Sequence, residues 1–223
     1  MTEPPAHAAY DPDCTRCPRL ASFLSSVRAR HPEYWARPVP SFGAAQPLIL
    51  IVGLAPGMHG ANRTGRPFTG DHAGILLYET LHAAGLATRA VSRSAGDPLR
   101  LRQARIANAV KCLPPQNKPL PAEIRTSNRF LAAEVRQLSR VRVYLALGRV
   151  AHEAAVRALG LERATYAFGH GREHALPDAR WLIDSYHCSR YNTQTRRLTA
   201  EMFREVVARA CQRAGLPIAA ADE

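Results

Sequence analysis

The chain has 223 residues, 46% of them hydrophobic, which suffices for one substantial core and not for two, so a single domain over residues 1–223 is expected. A net charge of +12, with no apolar run long enough to span a bilayer, points to nucleic acid as partner and away from a membrane. Only Lys111 and Lys118 among the 30 basic residues are lysines, and arginine, the better bidentate phosphate ligand, supplies the rest.

Residues 1–13 are polar, Pro/Ala-rich and aperiodic, and are expected to be disordered up to the first cysteine pair. They contain neither a signal peptide nor an Arg-rich presequence, which predicts a cytosolic, nucleoid-facing protein with reduced thiols. Five cysteines in that compartment argue for metal or catalysis, and Cys14-x-x-Cys17 is the spacing that stands out. A helix is predicted over 18–30, followed by a Pro-rich connection that sends Tyr34, Trp35 and Phe42 to the core; residues 14–46 form an N-terminal helix and connection. Residues 47–52 (PLILIV) read as a strand buried on both faces. Residues 53–71 follow as a loop with five glycines, leaving the carboxyl end of that strand, where open parallel sheets bind ligands.

Further along, a helix over 72–84 and a strand over 104–111 are predicted, the latter broken at once by Cys112-Leu113-Pro114-Pro115. Pro121 opens a helix to about residue 138, with Glu123 near its positive end. A strand over 141–147, a helix over 150–159, a strand over 181–186, a loop over 187–197 and a helix over 199–214 complete the chain. This alternation predicts a three-layer α/β/α fold around a four-stranded parallel sheet, with the loops 53–71, 112–119 and 187–197 converging on one crevice.

Three separated motifs carry a resemblance: Gly53-Leu54-Ala55-Pro56-Gly57 leading to Arg66-Pro67-Phe68-Thr69-Gly70-Asp71; Lys111 to Pro119 (KCLPPQNKP); and Ser185-Tyr186-His187 with Ser189-Arg190 and Asn192-Thr193-Gln194-Thr195. In this order they resemble the type-b (family five) uracil-DNA glycosylases of bacteria and archaea, over residues 14 to about 203. The resemblance implies the uracil-DNA glycosylase fold, excision of uracil from DNA in base-excision repair, and an iron–sulfur cluster. A monomer is expected.

The residues suit those roles. A glycosylase extrudes its target base and holds it by stacking and edge hydrogen bonds. Phe68 is the stacking residue, Gly53 and Ala55 belong to the base-binding loop, and Asn117 reads the base edge, preferred over Asn108 because it lies on the loop. His187 donates to the departing base's carbonyl oxygen, and Asp71 positions water and offsets charge on the sugar. Ala55 stands where related glycosylases carry a polar or acidic residue that activates water, which implies a dissociative path and a range that extends to other deaminated bases such as hypoxanthine. Arg63, Arg66, Arg190, Tyr191, Asn192, Gln194, Arg196 and Arg197 are expected on DNA, with Tyr191 or Arg190 filling the gap left by the flipped nucleotide. The scarcity of lysine argues against Schiff-base strand cleavage and for a monofunctional enzyme that leaves an abasic site.

The family's [4Fe–4S] cluster is held by four cysteines, and Cys14, Cys17 and Cys112 match three of them. Ser127 occupies the fourth position, so the expected cluster is incomplete or labile. Zinc at Cys14, Cys17 and Cys112 with a histidine is the competing metal reading. Cys188 and Cys211 are expected to be packed core residues, and His152 and His170 to be structural. A second functional reading from another class is a repair factor on the same fold that binds damaged DNA without cutting it.

Overall fold

A computed structural model describes residues 9–217. The unbroken apolar run in the first parallel strand explains its place at the centre. In β2 (Ile49–Gly53), Ile49 and Ile51 face one core while Leu50 and Val52 face the other, so both sides of the strand are buried. The same alternation holds in β4 (Val143–Leu147), where Val143, Leu145 and Leu147 oppose Tyr144 and Ala146. Each fully buried aliphatic side chain contributes about 1.5–3 kcal/mol, which fixes the register of these strands.

β3 (Ala104–Asn108) and β6 (Trp181–Ser185) complete the expected parallel core, β3 pairing with β2 and β6 with β4. Two short antiparallel strands, β1 (Phe42–Gly43) on β3 and β5 (Glu173–Ala175) on β6, extend it to six strands in the order β1-β3-β2-β4-β6-β5. The expected four-stranded sheet is thus the centre of a six-stranded mixed one. Helices α3 (His72–Ala83) and α7 (Ala200–Ala214) cover one face, and α4 (Pro121–Gln137) and α5 (Arg149–Ala158) the other.

The N-terminal helix α1 (Pro18–Arg30) packs Leu24 and Val27 against Leu113. Arg19 donates to both carboxylate oxygens of Glu123 at 2.7 Å, and Glu123 in turn caps α4 by accepting from the Leu120 N–H. Of the segment expected to be disordered, residues 1–8 lie outside the described residues. Tyr10 already donates to the Pro38 carbonyl and Arg37 reaches Asp13 at 3.4 Å, so order begins earlier than Asp13. Trp35, expected in the core, is 39% exposed, because its ring covers the bare backbone of Gly65 at the surface. Two short helices interrupt loops that the sequence left irregular: α2 (Ala61–Thr64) and α6 (Arg190–Gln194), the latter capped by Ser189. Among the described residues, no helix is long and apolar enough to cross a membrane.

Candidate functional site

The three loops do converge. Leu54, Ala55, Gly57, Phe68, Asp71, Asn108, Asn117 and His187 line one cavity of about 440 Å³ at the carboxyl ends of the parallel strands, a volume suited to a small ring system. Gly53 packs behind two of its lining residues, Asn108 and Phe68. A Cβ there would lie 2.5 Å from Asn108 Oδ1 and 2.7 Å from the Phe68 ring, so only glycine lets both approach.

Phe68 has a φ of +56°, a conformation that costs a non-glycine residue on the order of 1–3 kcal/mol and persists only under constraint. The constraint is visible. Tyr78 donates to the Pro67 carbonyl at 2.7 Å, Thr69 and Ser92 hydroxyls bond at 2.7 Å, and a Cβ on Gly74 would collide with the Phe68 carbonyl. Arg66 completes it. We expected Arg66 on DNA, but it is 4% exposed: its guanidinium ion-pairs with Asp97, donates to the Ala95 carbonyl and sits 4.3 Å above the Phe42 ring. An arginine so enclosed is withheld from a phosphate at the surface.

Burial would raise the Asp97 carboxyl, but Arg66 and the N–H groups of Arg93, Ser94 and Leu99 outweigh it and hold it at about 2. A depressed carboxylate stabilises the fold above its ordinary range near pH 4, and that contribution is lost as pH falls through about 2. Arg66→Met should therefore cost about 3 kcal/mol at neutral pH, because it strands Asp97, and should make the melting temperature less sensitive to acid. Thermal unfolding at pH 7 and pH 3 measures both.

Asp71 packs against Gly57 and Gly60; a Cβ on Gly60 would lie 1.8 Å from its Oδ1. Burial raises its carboxyl, partly offset by the Ala61 N–H at 3.2 Å and by the charges of Arg63 and His59. His187 stacks near-parallel on Phe68, ring centroids 5.9 Å apart, and burial pushes its imidazole down to about 4. It is neutral at physiological pH and can act as an oriented N–H donor. Asn192, expected on DNA, spends its amide on the His187 carbonyl at 2.8 Å and so positions the ring.

The two asparagines differ. Asn117 is exposed at the rim, in a left-handed conformation. Asn108 is 4% exposed, lines the cavity, and its Oδ1 is buried without a hydrogen-bond partner. A buried orphan acceptor costs about 1–3 kcal/mol unless a ligand satisfies it.

Arg190 is exposed at the edge of the cavity; outside it Arg63 is exposed, with its Nε on the His59 carbonyl, and Gln194, Arg196 and Arg197 are exposed around and after α6. Tyr191 is 69% exposed, free to enter a duplex. His72 also lines the cavity and bonds Thr193 through Nε2 at 3.2 Å; its helical position gave the sequence reading no reason to select it. Neither lysine lines the cavity: Lys111 is buried and bonded to Ser41 at 2.9 Å and Glu134 at 3.4 Å.

Cys14, Cys17, Cys112 and Ser127 come together around a second, smaller cavity beside the segment that follows β3; among the described residues no histidine lines it. Burial pushes the Cys112 thiol up to about 12, aided by Cys14 and Cys17 nearby, and Cys17 is raised for the same reasons. Without a cation these two thiols therefore stay protonated, and a metal centre that binds them must displace those protons. Among the described residues, the one group of three metal-ligating side chains with ligand atoms all within 4.8 Å is His152, His174 and Asp184. Cys188 and Cys211 are buried in the core as expected.

The histidine–aspartate group is itself a structural charge network. His152 offers Nδ1 to Asp184 at 2.7 Å and Nε2 to the Tyr166 carbonyl at 2.9 Å, which leaves neither nitrogen for a metal. Its three members come from α5, β5 and β6, so no sequence spacing announces it.

The comparisons agree with the geometry. Residues 40–211 match the Uracil DNA glycosylase superfamily profile. The chain is 50% identical to the Type-5 uracil-DNA glycosylase of Thermus thermophilus, across 91% of this chain and 94% of that protein. It is 43% identical to the Type-5 uracil-DNA glycosylase of Mycobacterium tuberculosis, covering 91% and 79%, and 41% identical to that of Pyrobaculum aerophilum, covering 91% and 90%. With an acid, a histidine and an asparagine gathered at the strand ends of this α/β sheet, and with identity of that extent along nearly its whole length, the chain belongs to the uracil-DNA glycosylase superfamily, in its type-5 branch.

Proposed function

We propose that the chain is a monofunctional glycosylase that excises uracil from DNA in base-excision repair. The observation that carries this reading is the orphaned Asn108 Oδ1 at the base of a cavity that also holds Asp71, His187 and Phe68. An amide there matches the adjacent N–H donor and carbonyl acceptor on the uracil edge, and its desolvation cost is repaid only when a base enters. Asn108 takes the reading role and Asn117 guards the rim. Phe68 stacks on the extruded base, whose unstacking costs a few kcal/mol.

The C1′–N1 bond breaks heterolytically, and its electron pair leaves with the base. The neutral imidazole of His187 donates to the carbonyl oxygen where the negative charge gathers. The Asp71 carboxylate faces the positive charge on the sugar and orients the water that adds to C1′, the water proton passing to the carboxylate or to solvent. Without a free amine at the cavity, no Schiff base forms and the strand stays intact. Ala55 adds no polar side chain, so the same pocket serves hypoxanthine and other deaminated bases through leaving-group stabilisation. Tyr191 fills the space left in the duplex, and Arg63, Arg190, Arg196 and Arg197 hold the backbone.

The donor set at the second cavity, three cysteines and a serine among the described residues, suits an iron–sulfur cluster, whose usual ligands are cysteine thiolates. Cys14, Cys17 and Cys112 would hold a [4Fe–4S] cluster that ties α1 to the segment after β3, a structural staple. Ser127 accepts from the Lys111 N–H at 3.3 Å and is a weak iron ligand. Ser127→Cys should therefore raise iron retention after air exposure to a full complement and raise the melting temperature, read by iron and sulfide analysis and thermal unfolding.

End-labelled DNA with one uracil, resolved with and without alkali, tests the function. Breakage only after alkali is the expected result. Breakage without alkali would overturn the monofunctional reading, and binding without breakage would favour a repair factor that senses damage without cutting.

A further inference from the structure

A cavity of about 350 Å³ lies beside the base pocket and shares Leu54 and His187 with it. Apart from His187, the Asn192 that positions it and the DNA-backbone contact of Arg197, its lining takes no part in excision of the base. Phe168 and Tyr186 form its aromatic wall, ring centroids 6.3 Å apart, and two arginines overhang them: Arg149 at 5.7 Å from the Phe168 ring and Arg197 at 4.5 Å from that of Tyr186. Both arginines are exposed, and neither is ion-paired or hydrogen-bonded among the described residues. Unpaired guanidinium groups beside an aromatic side chain are what a phosphodiester and an adjoining base require.

The wall is built to hold its shape. The segment of residues 166–171 is pinned to the buried Asp184: its Oδ2 accepts from the Gly169 N–H at 3.2 Å and its carbonyl from Gly171 at 2.8 Å, while His152 bridges Asp184 to the Tyr166 carbonyl. His170 accepts from the Tyr186 N–H at 3.1 Å and stacks on the Tyr186 ring at 4.9 Å. A buried charge network is thus spent on fixing a loop whose outward product is an aromatic and cationic cleft one residue from His187.

We propose that this cleft is a subsite for a nucleotide adjacent to the flipped one on the same strand, its base packed on Phe168 and its phosphate held by Arg149 and Arg197, with Tyr186, backed by His170, holding Arg197 in place. The inference rests on the reading of the chain as a DNA glycosylase. Continuity with the base pocket through His187 sets the occupant: a strand whose base lies in one cavity must carry its neighbour across the other.

The test uses single-stranded oligonucleotides with one uracil and a baseless tetrahydrofuran residue on its 5′ or its 3′ side. Excision is measured beside equilibrium binding of the same strands carrying a non-cleavable 2′-fluoro uridine analogue. Loss of the base on one of the two sides should lower wild-type kcat/KM and binding about tenfold, the size of one base–aromatic stack. Phe168→Leu, which keeps the packing volume, should show that loss already on the intact strand and be indifferent to the spacer. Arg149→Gln with Arg197→Gln, both at the surface, should weaken binding and reduce the salt slope by roughly two counterions. Wild-type indifference to both spacers, or a Phe168→Leu variant as spacer-sensitive as wild type, would overturn the subsite. Spacer-sensitive binding with no excision of any strand would instead overturn the glycosylase reading and leave the subsite standing.

Discussion

Asp71→Asn should lower kcat for uracil release by about 10²–10³-fold while KM stays within a few-fold of wild type, since the carboxylate acts on charge that appears only as the bond breaks. The carboxyl is held by the Ala61 N–H and enclosed by the two glycines of its own loop, and its charge is the one acidic charge lining the base pocket. Burial raises its protonation range. The active form is the carboxylate, so wild-type kcat should fall as pH drops through that raised range, and the residual rate of Asp71→Asn should be flat there. Gly60→Ala gives an independent reading of the same point. A methyl group 1.8 Å from Oδ1 cannot coexist with the present carboxylate, so the variant keeps the acid, displaces it, and should lose rate in the same sense. A single-turnover rate for Asp71→Asn within a few-fold of wild type would place water activation elsewhere.

The central sheet was legible because its strands are apolar on both faces, as in residues 47–52, and because helices and strands alternate. The edge strands were not. β1 has two residues and β5 reads Glu-His-Ala, so neither offers the hydrophobic pattern that reveals a strand; each exists because an edge of the parallel core stands ready to pair. α2 and α6 are too short for a helical period to show.

At the site, Asp71 and His187 are legible as candidates because strand-end loops in α/β sheets carry ligands, and both line the cavity. The same rule favours Asn117 over Asn108, although Asn108, at the end of β3, is the buried one and Asn117 lies exposed at the rim. Arg66 shows a different limit. Nothing local distinguishes an arginine that faces solvent from one whose partner, Asp97, stands in the next loop of the chain. The Asp184 network and the Phe168 cleft were invisible for the same reason, since their members meet only across α5, β5 and β6.

His187→Ala should lower kcat for uracil by about 10²–10³-fold, the usual cost of removing one oriented donor from a developing oxyanion. The position of the ring determines the form of the loss. It stacks on Phe68, its carbonyl is held by Asn192, and burial keeps it neutral down to about pH 4. No proton is gained by the imidazole between pH 8 and pH 5, so His187 contributes no change of wild-type rate across that span. A neutral donor stabilises the leaving base in proportion to the charge that base must carry. The deficit of His187→Ala should therefore shrink by about tenfold for 5-fluorouracil, whose fluorine already spreads that charge, and be largest for the poorest leaving groups. Asn192→Ala, which frees the backbone that carries the ring, should reproduce the trend with a smaller loss. An equal deficit for uracil and 5-fluorouracil would mean that His187 acts on the sugar or the water, and the excision would then depend on Asp71 and on burial of the base rather than on the fate of its electron pair.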